Sequence, residues 1–109
     1  MPASHFRLDE LRRSPTAWLF EGGPRAGAGV TMFIVRTPPG RFVELHTHPY
    51  AETFVLLEGN GRWTAGAEII EATAEAIISV PAHTLHGFRN IGQEPLLIVS
   101  VHESPTLTQ

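Results

Sequence analysis

The stretch Gly40-Arg-Phe-Val-Glu-Leu-His46-Thr-His48-Pro-Tyr-Ala-Glu52-Thr-Phe-Val-Leu-Leu-Glu-Gly59 decides how this chain is read. On a β-strand, residues i and i+2 leave the same face, so the imidazoles of His46 and His48 point the same way. Pro49, Tyr50 and Ala51 then turn the chain into Glu52, which opens a second run of strand-forming residues. The spacing predicts an antiparallel hairpin of 42–48 against 52–58, with the Glu52 carboxylate level with the two rings. Two imidazoles and one carboxylate suit a first-row divalent ion, and the absence of cysteine excludes a thiolate site.

Outward from this stretch, Gly and Pro punctuate the whole chain, and short apolar or β-branched runs lie between them at 30–35, 42–47, 53–57, 76–80 and 96–101. Short strands with frequent turn residues predict an all-β sandwich or barrel. A second hairpin is expected from 62–64 and 68–71 around Ala65-Gly66-Ala67. Only 8–13 has a helical look, and Pro15 stops it. Residues 21–29 read as a loop. Their glycines lack the Gly-Lys-Ser/Thr and the strand-to-helix setting of a phosphate cradle.

At 109 residues and 42% hydrophobic, the chain is long enough for one domain with a buried core. A net charge of -3 offers no basic surface for nucleic acid or an anionic membrane. No run approaches the roughly 18 apolar residues of a membrane span. The charged N-terminal stretch lacks the apolar run of an export signal, so a cytoplasmic location is expected.

A second segment, Glu75-Ala-Ile-Ile-Ser-Val-Pro81-Ala-His83-Thr-Leu-His86-Gly-Phe-Arg-Asn90, completes the pattern. Residues 40–59 match the first signature motif of the cupin family at each defined position: Gly, His-x-His, Glu and Gly. Residues 75–90 resemble its second motif, with Pro81, His86 and Asn90 in place. Two positions depart. Glu75 and His83 stand where that motif usually has glycine, and His tolerates a left-handed backbone better than β-branched residues do.

The resemblance implies a double-stranded β-helix, a small jelly-roll barrel over 30–104 with 1–29 as an N-terminal extension and loop packed on it. It also implies that His86 joins His46, His48 and Glu52 around one divalent ion: iron, manganese, nickel, zinc or copper. The activity it suggests is that of a metal-dependent enzyme on a small organic molecule, dioxygenase-like on a chelating diketone or phenolic substrate. A metal-assisted isomerase or lyase of a carbohydrate or keto acid, and a non-catalytic binding or sensing domain, are the alternatives. A homodimer is expected, with Trp18, Leu19 or Phe20 near the contact. No nucleophile–base pair stands out, and no catalytic residue is assigned.

Strand parity places Phe42 and Glu44 beside His46 and His48, and Phe54 and Leu56 beside Glu52, so Phe54, Leu56 and Phe88 are expected to wall the site. His83 is expected at a rim and His5 in solvent. His102 reads as a hydrogen-bonded structural histidine whose facing is open, because its strand is apolar on both parities. The sides taken by Trp63, Trp18, Met32 and Arg36 are likewise open.

Overall fold

The computed structural model describes residues 2–107. Ten strands make up most of it: β1 (Arg12–Ser14), β2 (Ala17–Glu21), β3 (Thr31–Thr37), β4 (Phe42–His46), β5 (Glu52–Glu58), β6 (Asn60–Ala65), β7 (Glu68–Thr73), β8 (Ala76–Val80), β9 (His86–Asn90) and β10 (Leu96–His102). Six of them form one sheet in the order β1-β2-β3-β10-β5-β8, and the other four form a second in the order β4-β9-β6-β7. Every pairing is antiparallel. This is the mostly-β architecture that the turn-rich sequence predicts, arranged as the jelly roll that the family resemblance implies. Among the described residues no helix is long and apolar enough to cross a membrane.

The core lies between the sheets, built from Phe54 and Leu56 of β5, Trp63 of β6, Ile78 and Val80 of β8, Phe88 of β9, and Leu96 and Ile98 of β10. Strands β5, β6, β8 and β10 send alternate residues inward, which is the period-2 burial of a sandwich. Gly59, at φ +96, holds the corner between β5 and β6. A Cβ there would lie 2.8 Å from the Pro95 carbonyl oxygen, so this corner admits only glycine without a shift. Asn90 ties the far end together. Its Nδ2 donates to the carbonyls of Thr37 (2.9 Å) and Glu94 (2.8 Å), and its Oδ1 accepts from the N–H of Gly92 (2.8 Å).

Several local expectations are corrected. The hairpin of 42–48 with 52–58 does not form: β4 pairs with β9, whereas β5 pairs with β10 and β8. The chain between His46 and Glu52 crosses from one sheet to the other. Phe54 and Leu56 need neighbours on both sides to be covered, and a central strand between β10 and β8 provides them. The second hairpin forms, with Ala65 opposite Glu68 and Gly66 at φ +59 in the turn. The helical look of 8–13 resolves into one 3-10 turn, Leu8–Glu10, followed by β1, because backbone pairing with β2 outweighs a weak local preference. The expected loop at 21–29 contains a short helix, α1 (Gly22–Ala26). It closes on Gly27 at φ +64, whose N–H bonds back to the Gly22 and Gly23 carbonyls. Strands β1 and β2 also carry part of the N-terminal 29 residues into the six-stranded sheet through β3.

Candidate metal centre

His46 and His86 are direct cross-strand partners in β4 and β9. His48 follows β4 into the crossing segment, and Glu52 opens β5 opposite His102 of β10. His48, Glu52 and His86 are buried, and one donor atom from each of these and from His46 lies within 4.8 Å of the others. Meeting across the gap between the sheets, the four converge without the hairpin that the spacing suggested.

Backbone carbonyls set the orientation of all three rings. The Nδ1 of His46 bonds to the Glu44 carbonyl (2.9 Å), that of His48 to the Tyr50 carbonyl (2.7 Å), and that of His86 to the Thr84 carbonyl (2.7 Å). A carbonyl only accepts, so each Nδ1 carries the proton, and a neutral ring is left with its lone pair on Nε2. The Nε2 atoms of His48 and His86 each sit 3.0 Å from Glu52 Oε1. Lone pairs aimed at a carboxylate oxygen repel it unless a cation, proton or metal, stands between. The spacing suits a metal, since ligands at about 2.1 Å around an octahedral ion are separated by about 3.0 Å along an edge. The donor set, three imidazoles and one carboxylate, suits a first-row divalent ion.

The second oxygen of Glu52 is held from the opposite side. Ser100 Oγ donates to Oε2 through a short hydrogen bond, and His102 Nε2 lies 3.2 Å from the same atom. Burial alone raises the pKa of Glu52. The hydrogen bond and charge of His102, with the bonds from Ser100 and His48, outweigh it and hold the carboxyl well below the usual carboxylate range. Glu52 is thus an anion with one oxygen occupied and one turned toward the three rings. Tyr50 braces the pair: its ring stacks on His48 at 4.1 Å, and its hydroxyl lies 3.0 Å from His102 Nδ1.

A cavity of about 400 Å³ opens above Glu52, His46 and His86. Its walls are chiefly apolar, from Ala17, Phe33, Val35, Val43, Phe54, Phe88 and Ile98. Phe54 and Phe88 wall the site as parity predicts, but Leu56 lies deeper, fully buried in the core. Phe42 and Glu44 do not share the histidine face. Between Val43 and His46 the register against β9 slips, three steps along β4 matching the two from Phe88 to His86. The bulge reverses the parity, so Val43 lines the cavity while Phe42, at 53% exposure, and Glu44 stay outside.

His83 is exposed at φ +62, and its N–H donates to the His48 carbonyl at 2.9 Å. His5 is exposed. Trp63 is fully buried in the core, and Trp18 and Met32 lie on the outer face of the six-stranded sheet with Phe6, Leu8 and Leu11. Arg36 is exposed beside Glu58 and Asn60, apart from the centre. Sequence reasoning missed Ser100, the facing of His102, and Tyr50. The i, i+2 spacing of Ser100 and His102 was present, but β10 is apolar on both parities and gave no sign of which face was inward.

The model of the cupin domain matches residues 33–102. A polyketide synthase CurC of Streptomyces cyaneus is 35% identical over 68 residues, covering 62% of this chain and 44% of that protein. In fold the chain is similar to an S161A mutant of the Bacillus subtilis oxalate decarboxylase OxdC, with a TM-score of 0.82 and 24% identity over 94% of this chain and 30% of that one. It is also similar to a Bacillus halodurans protein, with a TM-score of 0.69 and 24% identity over 73% of this chain and 66% of that one. The chain therefore spans less than half of the curated relative and under a third of the decarboxylase. With both signature motifs and the jelly roll in place, and the family model running across 33–102, the chain belongs to the cupin domain family.

Proposed function

We propose that this cupin holds one divalent metal ion on His46, His48, Glu52 and His86 and uses it on a small organic molecule bound in the cavity above. The observation that carries this reading is the convergence of four donor atoms within 4.8 Å, with His46, Glu52 and His86 lining a largely apolar cavity of about 400 Å³. When bound, the ion supplies Lewis acidity, and redox chemistry if it is iron, manganese or copper. The rest is done by the chain itself. The carbonyls of Glu44, Tyr50 and Thr84 aim the rings, Ser100 and His102 keep one oxygen of Glu52 out of play, and Phe54, Phe88 and Ile98 exclude water. Four protein ligands leave one or two positions open on a five- or six-coordinate ion, enough for a substrate with adjacent oxygens.

A chelating diketone or phenol acted on in a dioxygenase-like reaction is the substrate class we favour. The name of the Streptomyces cyaneus relative supports it, since polyketide chains carry alternating carbonyls that give diketones and phenols. The B. subtilis oxalate decarboxylase, similar to this chain in fold alone, is described as having Mn(II) centres, which supports a metal in a barrel of this fold. Metal analysis of untagged protein purified without added metal is expected to find close to one ion per chain. Substoichiometric metal that does not rise on addition of Fe²⁺, Mn²⁺, Ni²⁺, Zn²⁺ or Cu²⁺ sinks the reading.

We also propose a symmetric homodimer built on the outer face of the six-stranded sheet. Phe20, Met32 and Ile34 lie on it beside Trp18, and Leu57 (43% exposed) and Ile77 (70% exposed) are uncovered at its other side. Light scattering is expected to give twice the 12.0 kDa chain mass. A single-chain mass across the micromolar range refutes this.

A further inference from the structure

Strand β1 lies at the edge of the six-stranded sheet, and its register against β2 slips at one residue. Arg12 faces Trp18 and Ser14 faces Ala17, so two steps along β1 match one along β2, and Arg13 is the extra residue. Regular alternation would put residues 13 and 14 on opposite faces. The bulge breaks it: Arg12 stays with its guanidinium 4.8 Å over the Trp18 ring, while Arg13 and Ser14 both line the cavity above Glu52.

Arg13 is also uncommitted. Among the described residues, Arg7 and Arg62 rest on carboxylates, Arg12 and Arg89 on carbonyls and rings, and Arg25 on a ring. Arg13, Arg36 and Arg41 have no such partner, and of these three only Arg13 lines the cavity, although it also borders an outer groove with Glu10 and Glu21. The one carboxylate lining the cavity is Glu52, and its Oε2 is taken by Ser100 and His102. With a divalent ion in place the cavity carries net positive charge, and a guanidinium at an apolar wall pairs with a planar anion by a two-pronged hydrogen bond.

We propose that Arg13 is the recognition residue for an anionic group on the ligand. The ligand is then an organic anion with an apolar, planar body. One end bears adjacent oxygens for the metal, and the other bears a carboxylate, or a group of like charge, that reaches Arg13. This rests on the metal-centred reading for the position of the first end and for the ion's share of the cavity's charge.

The test uses two probes of one shape, 3,4-dihydroxycinnamate and its uncharged methyl ester. Each is titrated into the full chain, zinc-loaded and chelator-treated, as wild type and as Arg13→Gln. Arg13 is exposed, so the variant is expected to fold, and its circular dichroism and melting curve check this. Wild type is expected to prefer the anion, and Arg13→Gln to weaken the anion by about tenfold and the ester by less than about twofold. The preference should shrink as salt is raised. An anion-to-ester ratio equal in the two proteins overturns the proposal, as does failure of wild type to bind either probe. If the ratio depends on Arg13 but neither probe responds to zinc, the role of Arg13 stands and the four-ligand reading falls.

Discussion

Replacing His86 by alanine is expected to abolish the proposed metal binding while leaving the barrel folded. His86 aims Nε2 at the centre from the interior of β9, braced by the Thr84 carbonyl, and faces His46 directly across the β4–β9 pair. Removing the ligand itself should cost more than the roughly 10–100-fold in metal affinity that loss of an outer partner costs. The fold has little reason to fail. Glu52 keeps His48 on one oxygen and Ser100 and His102 on the other, so the metal-free protein loses a hydrogen bond to a charged group, about 1.5–3 kcal/mol. Metal content after dialysis, read beside a urea unfolding curve, separates the two effects. If the variant keeps wild-type affinity for the ion, His86 is not a ligand. If the metal-free variant unfolds outright, the cluster is structural before it is functional.

The opposite pattern is expected from Trp63→Ala. Trp63 is fully buried, its ring 5.7 Å from that of Phe54 and stacked on Phe88 at 5.6 Å. Its space depends on Gly61, where a Cβ would lie 2.5 Å from the indole. The truncation leaves a cavity in the middle of the core and should cost about 3–5 kcal/mol, a large share of the roughly 5–15 kcal/mol of a typical domain. In a chain of this length that lowers the melting temperature by more than about 10 °C. The four candidate ligands lie on other strands and in the crossing segment, so the folded fraction should still bind the ion. A loss under about 1 kcal/mol would mean that the site collapses freely and that Trp63 is not the keystone its burial implies.

These two residues differ in how far their roles were legible beforehand. His86 is legible through its place in the motif that resembles the cupin family's second signature. Trp63 has no side legible in the sequence, because a lone aromatic in a short strand says nothing about which sheet will cover it. The pairing of β4 and β5 failed for a related reason. Residues 42–46 and 52–58 are each strand-like, but strand propensity is local, while the partner is chosen by burying Phe54 and Leu56 between β10 and β8.

By itself the sequence determined the mostly-β class and the candidate donors His46, His48 and Glu52, since these rest on residue identity and short-range spacing, while the resemblance to the cupin motif added His86. Tertiary structure alone decided that the donors meet across two sheets. It also decided that Val43, and not Phe42 or Glu44, faces the cavity, and that Ser100 and His102 hold the far oxygen of Glu52. The two bulges, at residues 43–46 and at Arg13, show why. One extra residue in a strand reverses every inward and outward assignment beyond it, and its position is set by the neighbouring strand's register, which no local pattern records.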